Sequence, residues 1–131
     1  MKSKSIALAM FAAALLASPA LAGECTPTQE QEIGGQLAKA ARDTVNGIAP
    51  VQGKQIFNFD KCDFGAVSKT LKIEGKYSYL GDGGLFWVTV ASEFKQGDAP
   101  VVTVTGMSKN LVEAVRAQQA NAPATLVAAL P

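Results

Sequence analysis

Apolar residues follow three rhythms along this chain, and each predicts a different kind of segment. Residues 6–16 are an unbroken apolar run. Further on, Ile33, Leu37, Ala40, Ala41, Thr44 and Ile48 recur at spacings of three and four, with Glu32, Gln36, Lys39, Arg42 and Asp43 mostly on other sides of the wheel. That period predicts an amphipathic helix. Thr26, Pro27 and Gln29 supply its start as cap, first helical residue and capping-box partner, and Asn46, Gly47 and Pro50 its stop. Gly34 and Gly35 weaken the middle; close packing on a sheet accounts for them, since no strand precedes them to make a nucleotide loop.

From Lys54 onward the period becomes two. Residues 55–60 predict a short strand. Residues 70–80 alternate, with Leu71, Ile73, Gly75, Tyr77 and Tyr79 on one side and Thr70, Lys72, Glu74, Lys76 and Ser78 on the other. Gly81-Asp82-Gly83-Gly84 then predicts a hairpin turn of type I′, which needs positive φ at both central residues. Pairing Gly81 with Gly84 sets Tyr79 opposite Phe86, Tyr77 opposite Val88, Gly75 opposite Val90 and Leu71 opposite Phe94. Lys72 then faces Glu93 on the other side. A slip of one residue scrambles both faces, so the pattern fixes the register.

Residues 95–99 predict a turn and residues 100–107 a strand of open register. Either Val102 and Val104 join the core, with Val101, Thr103, Thr105 and Met107 turned away, or a shift of one residue reverses this. Ser108 or Asn110 can cap a second helix with Leu111, Val112 and Val115 as its apolar side. Asn121-Ala122-Pro123 interrupts it, and residues 126–130 form either a short docked helix or a frayed tail. The expected fold is therefore α+β: an N-terminal helix, a four-stranded antiparallel meander sheet and a C-terminal helix packed on the sheet.

The first apolar run changes how much chain needs to fold. Lys2 and Lys4 precede it, and Pro19 with Ala20-Leu21-Ala22 follows, the pattern of a secretory signal peptide on residues 1–22. About a dozen apolar residues fall short of the ~20 that span a bilayer. Glu24 lies where a lipobox needs cysteine, so the expectation is a soluble mature protein without a membrane anchor. It would be periplasmic in a double-membraned bacterium and secreted otherwise. Removing 22 of the 131 residues leaves 109 for a single α+β domain, residues 23–131; the 12 basic and 11 acidic groups become 10 and 11. Such a balance lacks the basic surface that nucleic acid requires.

Cys25 and Cys62 are the only cysteines. In an exported chain they predict a structural disulfide, whose loop-closure entropy is worth roughly 3 to 4 kcal/mol.

Candidate chemistry is sparse. There is no histidine, which removes histidine-based triads, histidine-ligated zinc and the commonest neutral-pH general base. Asp60-Lys61-Cys62-Asp63 has too few oxygen ligands for a calcium loop and reads as a solvated turn. Ser92 and Lys95 share the spacing of some serine acyltransferases, but on a strand residues three apart point to opposite faces. Tyr77 and Tyr79 read as core residues whose hydroxyls reach a rim or backbone partner, rather than as oxyanion donors. No metal or cofactor is implied.

Trp87 stands out. The hairpin register sets it on the face away from the core, near Leu80 and Leu85, with Met107 joining if the last strand keeps its first register. Cover by the chain's own tail, a homodimer and a partner surface are the competing explanations. The expected function is a non-catalytic binding or accessory protein that engages a protein partner or small apolar ligand through a sheet face or edge. A second reading is a small hydrolase or isomerase using Asp60, Asp63 or Asp82 as base. A third is a carrier lodging an apolar ligand among Phe57, Phe59, Tyr77 and Phe86.

Overall fold

The structure, a computed structural model, describes residues 22–131. The segment read as a leader lies outside the described residues but for Ala22. The elements run β1 (Ala22–Glu24), α1 (Pro27–Val45), β2 (Val51–Gly65), β3 (Thr70–Gly81), β4 (Gly84–Lys95), β5 (Val102–Met107), α2 (Lys109–Ala117), a 3-10 turn (Gln119–Asn121) and α3 (Ala124–Ala128). The five strands form one antiparallel sheet in chain order.

The α+β class and antiparallel meander are as expected, but the sheet has five strands and a strand precedes the helix. Three residues of β1 are too few to show a period. What aligns them is covalent: Cys25 and Cys62 form the expected disulfide, with their Cα atoms 5.3 Å apart, and the Cys25 N–H donates to the Cys62 carbonyl at 2.8 Å. The preceding residues are thereby brought alongside β2, Gly23 opposite Phe64 and Glu24 opposite Asp63.

Residues 55–60 prove to be the middle of a strand of 15 residues. Breaks in register between Val51 and Gln55 and again between Phe59 and Lys61 shift the alternation twice, so the period of two holds only between them. Residues 60–63, expected as a solvated turn, belong to this strand.

The β3–β4 hairpin has the predicted register at every pair named above, from Gly81 with Gly84 to Leu71 with Phe94. The turn differs. Positive φ falls on Gly83 (92°) and Gly84 (142°), and Lys69 is the one non-glycine residue among those described with positive φ. Asp82 is thus spared the left-handed region and the turn is not type I′; a second glycine in tandem takes that conformation without a Cβ penalty.

In β5, Val102 and Val104 face the core, and so does Met107, against the expectation that it points away with Thr103 and Thr105. Val90 pairs with Val104 but Thr89 pairs with Gly106. Thr105 is the extra residue of a bulge, and past it the facing inverts.

The helices cover one face of the sheet. α1 opens with the predicted capping box, Thr26 Oγ1 accepting from the Gln29 N–H and Gln29 Oε1 from the Thr26 N–H, and buries Ile33, Leu37, Ala41 and Val45. α2 buries Leu111 and Val115, and α3 buries Leu126, so the tail is docked. Beneath them lie Leu71, Ile73, Tyr77, Tyr79, Phe86, Val88 and Val90. Gly75 is the gap in this row. A Cβ there would lie 2.6 Å from two atoms of the Phe57 ring and 2.7 Å from the Asn58 carbonyl oxygen.

Two stability outcomes follow from this packing. Replacing Cys25 and Cys62 together by serine should cost about 3 to 4 kcal/mol in urea unfolding, given the 37-residue separation. Gly75→Ala should cost about 1 to 3 kcal/mol by overpacking against the Phe57 ring and the Asn58 carbonyl; an unchanged urea midpoint would show that both the ring and the β2 backbone give way freely.

Candidate functional site

Among the described residues, all three helices pack on the Tyr77 face and nothing packs on the opposite face of the sheet. At its hairpin end the register aligns Ile56, Ser78 and Trp87 in one row and Leu80 with Leu85 in the next. Ile56 is 56% exposed, Leu80 44% and Leu85 58%, and Trp87 is half-buried among them. Ile56 was missed in the sequence because the short alternation of residues 55–60 does not by itself tie this strand to the hairpin; the pairing of Ile56 with Ser78 does so only in the structure. Met107 is not part of this cluster; it is buried beside Val88 on the helix side.

Trp87 is held by its backbone, leaving its ring on the open face. Its N–H donates to Ser108 Oγ at 3.2 Å, and its carbonyl accepts from the Ser108 N–H at 2.9 Å. The Ser108 hydroxyl, expected as a helix cap, instead donates to Asn110 Oδ1 at 2.6 Å. Asn110 Nδ2 in turn donates to the Leu85 carbonyl at 2.9 Å. The start of α2 therefore clamps the start of β4 from behind. On the open face, Lys76 Nζ sits 4.6 Å from the Trp87 ring centroid, a cation–π contact of about 0.5 to 1 kcal/mol at an exposed site.

Away from this corner the open face is a grid of alternating charge. A depression of about 490 Å³ lies over Ala91 between Lys61, Asp63, Lys72, Glu74 and Glu93. Lys72 and Glu93 are directly opposite, as predicted. Among the described residues, however, the one ion pair within 4.0 Å is Lys39 with Asp43 on α1.

Of the remaining candidates, Asp60 and Asp63 line one depression of about 370 Å³ with Glu24 and Glu30, while Asp82 and the Ser92/Lys95 pair lie elsewhere. Asp60 and Asp82 are exposed and Asp63 half-buried; Asp60 lies within β2, whereas Asp82 is at the tip of the β3–β4 turn. Ser92 is buried, its hydroxyl donating to the Val101 carbonyl at 2.9 Å, while Lys95 is exposed. Among the described residues no three Cys, Asp or Glu side chains form a group able to hold a metal ion.

The aromatic residues considered for a carrier fill the space themselves. Tyr77 stacks on Tyr79 and Tyr79 on Phe86, each with centroids 5.4 Å apart, and Phe57 meets Phe59 edge-on at 5.0 Å. The tyrosine hydroxyls are also committed. Tyr77 donates to Gln55 Oε1 at 2.6 Å and Tyr79 to the Ala49 carbonyl at 2.8 Å. Burial pushes both phenols above their ordinary value, Tyr79 strongly and with a further push from Tyr77; Arg42 partly offsets the rise at Tyr77.

No protein-family model, curated protein or solved structure matches this chain.

The phenols give the fold a pH signature with a definite sign. A folded-state pKa above the unfolded value of about 10 leaves stability intact below that pH and removes it above, because the unfolded chain ionises first. From neutral pH upward, urea unfolding should show stability level to about pH 10, then falling by up to about 1.4 kcal/mol per pH unit for each phenol involved. Tyr79→Phe should flatten that fall while costing about 1 to 3 kcal/mol at neutral pH for the orphaned Ala49 carbonyl. A slope that is the same in both proteins would exclude Tyr79 as its source.

Proposed function

We propose that this chain is an exported, non-catalytic binding or accessory protein that engages a protein partner through the open sheet face around Trp87. The observation that carries this reading is the cluster itself: one half-buried tryptophan on a face that also bears exposed Ile56, Leu80 and Leu85, its strand hydrogen-bonded to the start of α2. Tryptophan concentrates binding energy because it combines a large apolar area with a single donor and few rotatable bonds. A protein fits better than a small apolar ligand, which needs concave surroundings to bury most of its area. Here the apolar side chains stand on a strand face, and the depression farther along the sheet is rimmed by Lys61, Asp63, Lys72, Glu74 and Glu93.

The disulfide supports an oxidising compartment outside the cytosol. Among the described residues no helix is long and apolar enough to cross a membrane. In a double-membraned bacterium the periplasm fits this reading.

Trp87→Ser is the direct test, using affinity capture from envelope extract followed by binding measurements with the purified partner. The substitution should weaken binding by about 2 kcal/mol or more, the scale of a hot-spot residue. The thermal midpoint should move only slightly. Collapse of that midpoint would make Trp87 a core residue, and undiminished capture would move the binding surface elsewhere.

A further inference from the structure

The two edges of the sheet are finished differently. On the β5 edge, the Val104 N–H, which points away from β4, is taken by Thr125 Oγ1 of α3 at 2.9 Å. On the other edge, β1 pairs with β2 only at Asp63, Phe64 and Gly65, and the Cys25 N–H reaches the Cys62 carbonyl. Gln55 to Phe59 have β3 on one side and, among the described residues, no strand on the other. Gln55, Ile56 and Asn58 are exposed, and Phe57 and Phe59 half-buried.

The main-chain groups at this edge can be assigned by alternation. Trp87 directs both its N–H and its carbonyl to Ser108, on the β5 side. Its neighbours Phe86 and Val88 therefore turn theirs toward β3, where Tyr79 and Tyr77 answer them. Ser78 and Lys76 then turn toward β2 and meet Ile56 and Asn58. Gln55, Phe57 and Phe59 are left presenting N–H and carbonyl groups to the free edge. Cys62, on the same side of β2 as Phe57, sends its carbonyl outward to Cys25, in agreement.

We infer that this edge pairs antiparallel with the same segment of a second copy of the chain, about a two-fold axis at Phe57. In this register Phe57 faces Phe57 of the second copy and Gln55 faces Phe59, so every outward main-chain group meets an outward group. Lys54 and Asp60, both exposed and three positions to either side of Phe57, face each other across the axis. The two-fold makes two opposite-charge pairs from this one relation. The half-buried Phe57 rings gain an aromatic neighbour, and the two exposed Ile56 side chains become diagonal neighbours on the open face. The register breaks at Val51/Gln55 and Phe59/Lys61 bracket the segment. A two-fold pairing uses it on both copies, so association closes at the dimer.

Charge reversal tests the register without touching the core. In sedimentation equilibrium of the disulfide-intact protein, the parent chain should dimerise. K54D or D60K alone should each raise the dimer dissociation constant about tenfold, since two pairs turn from attraction to repulsion. The double variant K54D/D60K, which swaps the charges, should restore it, with circular dichroism unchanged throughout. A parent chain that stays monomeric overturns the inference, as does a double variant no better than either single one. Trp87→Ser should leave dimerisation intact whatever it does to partner capture; loss of the dimer in that variant alone would place the contact on the open face and overturn the edge pairing.

Discussion

Pairing of Gly81 with Gly84 decides which side of β3 and β4 meets the helices, and the rest of the structure is arranged around that choice. From this turn the register runs unbroken for twelve pairs. It stacks Tyr77, Tyr79 and Phe86 on one face and sets Lys72, Glu74, Lys76, Trp87 and Glu93 on the other. Because a strand alternates strictly, the turn cannot place Tyr79 inward without also placing Leu80 outward. Both the core and the apolar corner of the open face thus come from one constraint. The hydroxyl of Tyr79 extends it further: by donating to the Ala49 carbonyl it fixes the connection between α1 and β2 to the hairpin.

The parts of the fold legible in the sequence are those where a single period persists. The hairpin carried apolar residues at alternate positions over both strands, interrupted only by Gly75 and Ser92, and one charge pair checked the other face. α1 carried a capping box and a three-four repeat. Legibility failed where an extra residue was inserted. Thr105 inverts the facing of Met107, and the two breaks in β2 disguise a 15-residue strand as a six-residue one. Gly53 lies in the first break of β2 and Gly106 follows Thr105, but the break at Phe59/Lys61 has no glycine or proline to announce it; the partner strand, rather than local preference, decides where the surplus residue goes. β1 was illegible for another reason: three residues carry no period, and their place is set by a disulfide whose consequence for the preceding chain appears only in three dimensions.

The candidate site was legible to the same degree and for the same reason. Trp87, Leu80 and Leu85 belong to the hairpin, so their common face followed from its register. Ile56 and Met107 belong to bulged strands, and the sequence omitted the first and included the second. The exchange matters for function. Met107 would have extended the cluster toward α2, where the helix start is occupied with hydrogen bonds to β4. Ile56 extends it instead toward β2, the strand whose edge is open.

That direction links the apolar corner to the edge. A face of exposed leucine and isoleucine beside free main-chain groups is a hazard for uncontrolled strand addition, which proteins limit with charges, bulges and short edges. Each device is present here within a few residues: Lys54 and Asp60 flank the free segment, a register break lies at each end, and Lys76 sits over the Trp87 ring. These features do not remove the contact surface; they set its length and its charge pattern. Five residues of edge between opposite charges admit a segment of matching charge order in one antiparallel register and oppose the same segment in the parallel sense, which would set lysine against lysine. Trp87 lies two strands away, anchored through its backbone. A contact at the edge and a contact at the tryptophan are thus separable in geometry, though both issue from the one register that begins at Gly81.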